Sequence, residues 1–346
     1  MRHGATLGDT LHAQGHDAAG ARALARVIEA LAGAARELAE VIATPAAGES
    51  LGARVGSDNS DGDQQRKLDL VAEEICREAL RGAGVGPYLS EETEGPLTLD
   101  PAGSLAVAID PLDGSSNIEV NGVIGTIFSI LPAPESAKAD PEVAFTQTGR
   151  AQIAAGFFMY GPQTRLVLTV GAGVDVYALD RASGAFRLVE SGVRIPSGGA
   201  EYAVNASNRR YWREPVRRYI DDCCLGADGP RGANFNMRWN GSMVADAYRV
   251  LTRGGLFLYP ADSRRGYEHG RLRLLYEASP VAFLTEQAGG AAIDGQDPIL
   301  DIPPSRPHAR TPVIFGDADE VEILHQNHLV TSTTPRDART RLGAAV

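Results

Sequence analysis

The stretch Asp110-Pro111-Leu112-Asp113-Gly114-Ser115-Ser116-Asn117 carries the densest chemistry in the sequence. It follows a continuous apolar run of strand length, 105–109, that is ended by Pro111 and turned by Asp113-Gly114. Two carboxylates therefore stand on a sharp turn at the end of a buried strand, where their mutual repulsion is relieved by protonation or by a cation. Gly114 lets the backbone approach a ligand, and the amides of Gly114, Ser115 and Ser116 can form an anion-binding nest or a helix N-terminus. A metal beside a phosphate suits the whole string, whereas Asp-Gly-Ser alone would more readily make an Asx turn or a helix cap.

Other acidic groups are weaker signals singly. Ser90-Glu91-Glu92 follows the strand-like run 85–89 and by itself reads as a solvated face. Asp63 and Asp69 fall near a loop-to-helix junction, one as a turn residue and the other as a helix-surface charge. Glu277 directly follows Leu274-Leu275-Tyr276, where a free carboxylate is less expected. Oxygen donors without a supporting cysteine or histidine cluster point to hard cations, magnesium or manganese, rather than zinc. Cys76, Cys223 and Cys224 lack Cys-x-x-Cys spacing, which argues against a disulfide framework and fits a reducing cytoplasm. Cys223 and Cys224 read as buried packing residues, and the pairs His12/His16 and His325/His328 as surface histidines.

The elements that must position these groups are partly visible. Leu24, Val27, Ile28, Leu31, Leu38, Val41 and Ile42 predict one amphipathic helix over about 19–43, and Leu68, Leu70, Val71, Ile75 and Leu80 a second. Between them, 50–63 is rich in Gly, Ser, Asn and Asp and reads as an exposed loop. Residues 126–131 form another strand, 132–148 a proline- and charge-bearing connection, and 174–189 a hairpin around Ala182-Ser183-Gly184. Pro196-Ser197-Gly198-Gly199 marks a domain boundary. Helices over 215–224 and 242–252 and a strand over 256–259 follow. A helix over 280–288, with Ser279 as N-cap and Pro280 at its first position, and a strand over 313–315 precede a last helix. Mixed strands and helices in two halves give a layered α/β or α+β architecture.

With 346 residues, 43% apolar and 22% charged, the chain is an ordinary folded protein of about two domains. Its net charge of −11 opposes nonspecific binding to nucleic acid or anionic membrane, so an anionic substrate needs local positive charge. No apolar stretch is long enough to span a bilayer, and the start reads as neither a signal peptide nor a membrane anchor.

Several motifs in order resemble the class I fructose-1,6-bisphosphatase family, within the lithium-sensitive, magnesium-dependent phosphatase superfamily. They run from Gly62-Asp63-Gln64-Gln65-Arg66-Lys67-Leu68-Asp69 through Ser90-Glu91-Glu92 and 110–116. They continue in Asn240-Gly241-Ser242-Met243-Val244-Ala245-Asp246, Gly254-Gly255-Leu256-Phe257-Leu258-Tyr259-Pro260 and Leu272-Arg273-Leu274-Leu275-Tyr276-Glu277. The superfamily turn alone also fits inositol monophosphatases; the motifs after 235 are those of the sugar-bisphosphatase branch. The resemblance implies an αβαβα sandwich with two mixed sheets between helix layers. It divides the chain into a metal- and 1-phosphate-binding unit over 1–198, a unit with the sugar 6-phosphate site over 199–335, and a flexible tail over 336–346.

It further implies that Glu91, Glu92, Asp110, Asp113 and Glu277 hold two or more Mg2+ ions per subunit, replaceable by Mn2+, with the Leu112 carbonyl as a backbone ligand and Asp63 near a further ion. Asp69 and Glu92 activate the attacking water. Asp113, Gly114, Ser115 and Ser116 hold the substrate at its 1-phosphate end, and Asn205, Arg238, Tyr259 and Arg271 its retained 6-phosphate end. Arg238 reaches across a subunit interface in a dimer or tetramer. The expected reaction gives fructose 6-phosphate and phosphate from fructose 1,6-bisphosphate, in gluconeogenesis or the Calvin cycle, in the cytoplasm. Sedoheptulose 1,7-bisphosphate is the rival or second substrate, and a catalytically silent phosphosugar-binding regulator the rival class.

The pattern departs in places. Arg271 replaces a lysine common in the family and keeps the charge; Trp239 and Asn208 replace tyrosines, removing two possible hydrogen bonds to phosphate. The alanine-rich first helix and Ser104-Leu105 lack the residues of AMP-inhibited members, so weak or absent AMP inhibition is expected, and 132–148 has no cysteine for a thiol switch.

Overall fold

The computed structural model describes residues 4–14, 19–44, 52–58 and 64–333. Seven α-helices run through these: α1 (Leu7–Gln14), α2 (Ala19–Ala43), α3 (Lys67–Gly82), α4 (Glu214–Cys224), α5 (Met243–Arg253), α6 (Ser279–Gln287) and α7 (Ala318–Thr333). A short pair, β1 (Arg54–Asp58) and β2 (Gln64–Arg66), leads into α3. The first large sheet contains β3 (Val85–Ser90), β4 (Leu97–Thr98), β5 (Leu105–Asp113), β6 (Ile124–Pro132), β7 (Ala154–Tyr160), β8 (Thr164–Thr169), β9 (Asp175–Asp180) and β10 (Ala185–Ser191). Its spatial order is β10-β9-β8-β7-β6-β5-β3-β4, with β3 and β5 parallel and the other neighbours antiparallel. The second contains β11 (Glu201–Ala203), β12 (Asn236–Met237), β13 (Leu256–Tyr259), β15 (Ala291–Ile293) and β17 (Val313–Gly316), in the order β12-β11-β13-β17-β15. A separate ribbon pairs β14 (Leu272–Arg273) with β16 (Arg310–Thr311).

Helices α1 to α3 cover one face of the eight-stranded sheet, α5 and α6 lie between the two sheets, and α4 and α7 cover the far face of the five-stranded sheet. This is the expected αβαβα sandwich with two mixed sheets. The periodicity that predicts α2 is the reason it packs: Val27, Ile28, Leu31, Ala35 and Leu38 fall on one stripe and are buried against α3 and the sheet. Strand β5 is buried along its whole length because α3 covers one face and the turns over Leu274–Ala278 and Pro141–Phe145 the other, which explains its unbroken apolar run. No helix among the described residues is long and apolar enough to cross a membrane.

Several sequence expectations need correction. Strand β5 does not stop before Pro111 but continues to Asp113, with its pairing to β6 shifting register between Asp110 and Asp113. That irregularity accommodates a residue without an N–H, and the Pro111 carbonyl accepts the Thr126 hydroxyl at 2.9 Å. The segment expected as an exposed loop contains β1, held by β2; residues 59–63, Asp63 included, lie outside the described residues, as do His16 and the expected tail over 336–346. Helix α1 was not foreseen. The connection over 132–148 winds through 3-10 turns that bury Ala144 and Phe145. Ser279 is not an N-cap, because a π-helical turn over Leu274–Ala278 runs straight into α6. Cys223 is buried, but Cys224 is exposed. His12 is exposed, whereas His328 is half-buried, with its Nδ1 bonded to the Leu324 carbonyl.

Candidate active site

The carboxylates of Asp110, Asp113 and Glu277 converge, each offering an oxygen within 4.8 Å of the others, and all three are buried. Asp110 and Asp113 come from the irregular end of β5, Glu277 from the π-helical turn. Asp110 accepts the Leu112 amide at 2.9 Å, closing an Asx turn that holds the bend. Glu277 accepts the Arg273 amide at 2.5 Å, four residues back, which fastens its side chain to the start of its own turn. Burial raises the carboxyls of Asp110 and Glu277, Glu277 to about 8, and the nearby charge of Glu91 raises both further. Asp113 is also raised by burial, although its hydrogen bonds to Val244, Ser242 and Met243 work against the shift. Three carboxyls that resist ionisation in one dry place are strained as charges and well suited to a hard divalent cation.

Asp113 is also the link between the sheets. Its carboxylate accepts the Ser242 hydroxyl at 2.7 Å and the amides of Met243 and Val244 at 3.1 and 3.0 Å, so it caps α5 from across the molecule. Gly114 follows with φ of +79°, and a Cβ there would stand 2.7 Å from that of Ser242. Both facts demand glycine. Ser115, Ser116 and Asn117 form a 3-10 turn, with Ser115 half-buried and Ser116 exposed, and Asn117 Nδ2 donates to the carbonyls of Val123 and Asn240.

The other expected groups surround this centre. Glu91 and Glu92 occupy the turn after β3, both half-buried, and the Glu92 amide donates to Ser90 Oγ. Asp69 stands in the first turn of α3, where Oδ2 accepts the Arg66 amide at 2.7 Å and the buried Oδ1 has no hydrogen-bond partner. Burial, with a contribution from Glu91, pushes Asp69 up to about 6. Glu91 thus acts on Asp69, Asp110 and Glu277 alike, which places all four in one electrostatic neighbourhood.

Of the residues expected at the sugar's far end, Asn205 and Tyr259 meet beside β13. Asn205, Asn208, Trp239, Tyr259, Asp262 and Arg264 line a narrow slot with room for about one water. Trp239 stacks on Phe257 at 5.8 Å and lies 6.1 Å from Tyr259, so it does pack into this wall. Arg271 lies over the Tyr267 ring at 5.0 Å, and its charge acts on Tyr259. Arg238 is exposed, donating to the Met237 carbonyl at 3.0 Å, and does not line the slot. The roomier cavities, about 400 Å3 beside Arg213, Asp294 and His328 and about 630 Å3 beside Glu268 and Arg306, are lined by none of the three converging carboxylates. Chemistry rather than volume locates the site.

Sequence reasoning gave no role to three groups found here. Arg273 is 2% exposed, with Nη2 3.9 Å from Glu91 Oε1, and its charge lowers Glu277. An arginine between Leu272 and Leu274 was the available signal. Asp246, pushed up to about 6 mainly by burial, fixes the loop before α5 by accepting from the amide and side chain of Asn240. Arg264 binds Asp262 through two nitrogens and lies 3.9 Å above the Tyr267 ring; nothing in its local sequence announced this.

Comparison with known proteins agrees with this geometry. Residues 5–191 match the fructose-1-6-bisphosphatase N-terminal domain and residues 195–328 its C-terminal domain. A class 1 fructose-1,6-bisphosphatase of Acidiphilium cryptum is 53% identical over 87% of this chain and 84% of its own length. Another, of Rhodopseudomonas palustris strain HaA2, is 49% identical over 98% and 97%. The crystal structure of Leishmania major fructose-1,6-bisphosphatase in holo form superposes with a TM-score of 0.87 at 31% identity, covering 94% of this chain and 99% of that one. The chain therefore belongs to the class I fructose-1,6-bisphosphatase family and is a phosphatase.

Proposed function

We propose that this chain hydrolyses the 1-phosphate of fructose 1,6-bisphosphate, giving fructose 6-phosphate and phosphate, with Mg2+ held by its acidic cluster. The observation that carries this reading is the convergence of Asp110, Asp113 and Glu277, buried within 4.8 Å of one another and each raised. Glu91, Glu92 and the Leu112 carbonyl complete the ligand set for two or more ions, with Asp63 near a further one. Mn2+ can replace Mg2+ because the donors are all hard oxygens. When bound, such ions neutralise phosphoryl oxygens and lower the pKa of a coordinated water.

The chain's own groups do the rest. Asp69 and Glu92 take the proton from the attacking water; a carboxyl poised at about 6 is well matched to that task near neutral pH. The amides and hydroxyls of Gly114, Ser115 and Ser116 hold the phosphoryl group in line, and Asp113 orients the sugar beside them. Water attacks phosphorus as the bond to the sugar oxygen breaks. Asn205, Tyr259, Arg271 and, from a neighbouring subunit, Arg238 hold the 6-phosphate, arginine being suited to phosphate by its planar fork. This reading assigns the 1-phosphate and most of the metal ligands to residues 1–198, and the sugar's far end to 199–335, which also lends Glu277 to the metals. It takes the enzyme to be a cytoplasmic homo-oligomer, dimer or tetramer, serving gluconeogenesis or the Calvin cycle.

The test is phosphate release from fructose 1,6-bisphosphate with Mg2+, after EDTA, and after Mg2+ is restored. Activity should vanish and return; turnover unaffected by chelation overturns the reading. Relative kcat/KM for sedoheptulose 1,7-bisphosphate decides whether that sugar is a second substrate.

A further inference from the structure

His308, 7% exposed, lies just before β16 and touches two segments far apart in sequence. Its Nδ1 is 2.9 Å from the Tyr276 hydroxyl, and its Nε2 is 3.3 Å from the backbone carbonyl of Glu94. A carbonyl can only accept, so Nε2 carries the proton. Nδ1 is then a lone pair that accepts from the Tyr276 O–H. The ring edge also meets the Tyr276 ring at 5.9 Å and 68°. Tyr276 is fully buried; the Arg273 side chain donates to its hydroxyl oxygen, which leaves the phenol proton for Nδ1 of His308.

What these bonds join matters. Tyr276 immediately precedes Glu277 in the π-helical turn, and Glu94 lies two residues after Glu92 in the turn that follows β3. The start of that second turn is fastened by the Glu91 amide, which donates to the Ile109 carbonyl of β5 at 3.1 Å, and by bonds between Thr93 and Ser90, whereas His308 holds its far end at Glu94. We propose that His308, through Tyr276, is a positioning residue that clamps the Glu91–Glu92 turn against the Glu277 turn and so sets the spacing of the metal-binding carboxylates. The clamp grips backbone and a phenol rather than any carboxylate, so it holds whether or not an ion is present. It is a preorganising device: it adds a tie beyond Glu92 to the bond that already fastens Glu91 to β5, so that less of the turn is left for an ion to order as it binds. The inference rests on the ligand assignment above.

The test is direct binding of Mn2+ alone, read from the free-ion electron paramagnetic resonance signal, for wild type, His308→Ala, His308→Gln and Tyr276→Phe. The amide of glutamine keeps a donor for the Glu94 carbonyl. Loss of a side chain that orients ligands typically weakens metal binding roughly 10–100-fold, and His308→Ala should do so. At saturating metal, kcat and the KM for the sugar should move less than about threefold, since the clamp acts on metal affinity. Tyr276→Phe should weaken binding in the same direction, His308→Gln should recover most of the loss, and the double variant His308→Ala/Tyr276→Phe should lose less than the sum of the single losses. Unchanged Mn2+ affinity in a folded His308→Ala overturns the proposal, as does lowered thermal stability with affinity intact. If His308→Ala does not fold, unchanged affinity in Tyr276→Phe overturns it equally. Failure of the wild type to bind Mn2+ would instead sink the ligand assignment itself.

Discussion

The two ends of the site are built on opposite electrostatic plans. Around the end of β5, Asp110, Asp113 and Glu277 are packed together in a dry place and all held above their ordinary range. Beside β13, charge is already settled: Arg264 is paired with Asp262 and stacked on Tyr267, and Trp239, Phe257 and Tyr259 form a rigid aromatic wall. The first region is complete only when a cation joins it, so it is where binding energy becomes chemistry. The second is finished before substrate arrives and is suited to recognition. Changes at the first should fall on kcat, and changes at the second on KM.

The largest expected effect comes from Asp113→Asn. Replacing this proposed ligand charge by an amide, which keeps one oxygen to accept from α5, should lower kcat roughly 10³-fold, equivalent to about 4 kcal/mol at the transition state. Circular dichroism should remain native, and near-normal turnover would break the contrast. Arg271→Ala comes next. It should raise KM roughly 10–100-fold with kcat within a few-fold, whereas Arg271→Lys should lose much less; an equal fall in kcat would place Arg271 in the chemical step.

A third test reads the electrostatics without substrate. Burial pushes Glu277 up to about 8, well above the ordinary glutamate value of about 4.5, so its ionisation opposes the fold. Its stabilising contribution is full below about 4.5 and is lost as pH rises through about 8. In EDTA, melting temperature should fall over that window, by less in Glu277→Gln and by less again in wild type with Mg2+. A melting curve indifferent to pH in EDTA would refute the strained-cluster description. Smaller still, Trp239→Tyr should lower KM a few-fold if the added phenol reaches the phosphate, and AMP should change turnover by less than about twofold, both read in steady-state assays.

Much of this was legible because local and tertiary signals agreed. The run 105–109 with its two aspartates marked β5 and the acidic turn, and the heptad-like stripe of α2 marked its full span, Ala19–Ala43. Where local signal was poor, packing decided. Helix α1 has only eight residues, with Leu7 and Leu11 as its main apolar anchors, and is held by α2 and β10. Segment 54–58, polar and glycine-bearing, is a strand because β2 pairs with it. Ser279 and Pro280 imitate a helix start, but Glu277, bonded to the Arg273 amide, begins the winding earlier. His308 was invisible for the same reason: its meaning lies in two partners, one 32 and one 214 residues away.

The cap that Asp113 places on α5 has a consequence for how the molecule comes together. The amides at the start of that helix are answered by a side chain from the eight-stranded sheet, and that same carboxylate belongs to the acidic centre. Expressed alone, either half would keep its fragment of the active centre with bare polar groups at the seam. Docking the halves and finishing the catalyst are thus a single event, so a nascent chain acquires its hydrolytic power only once its long-range architecture is sealed.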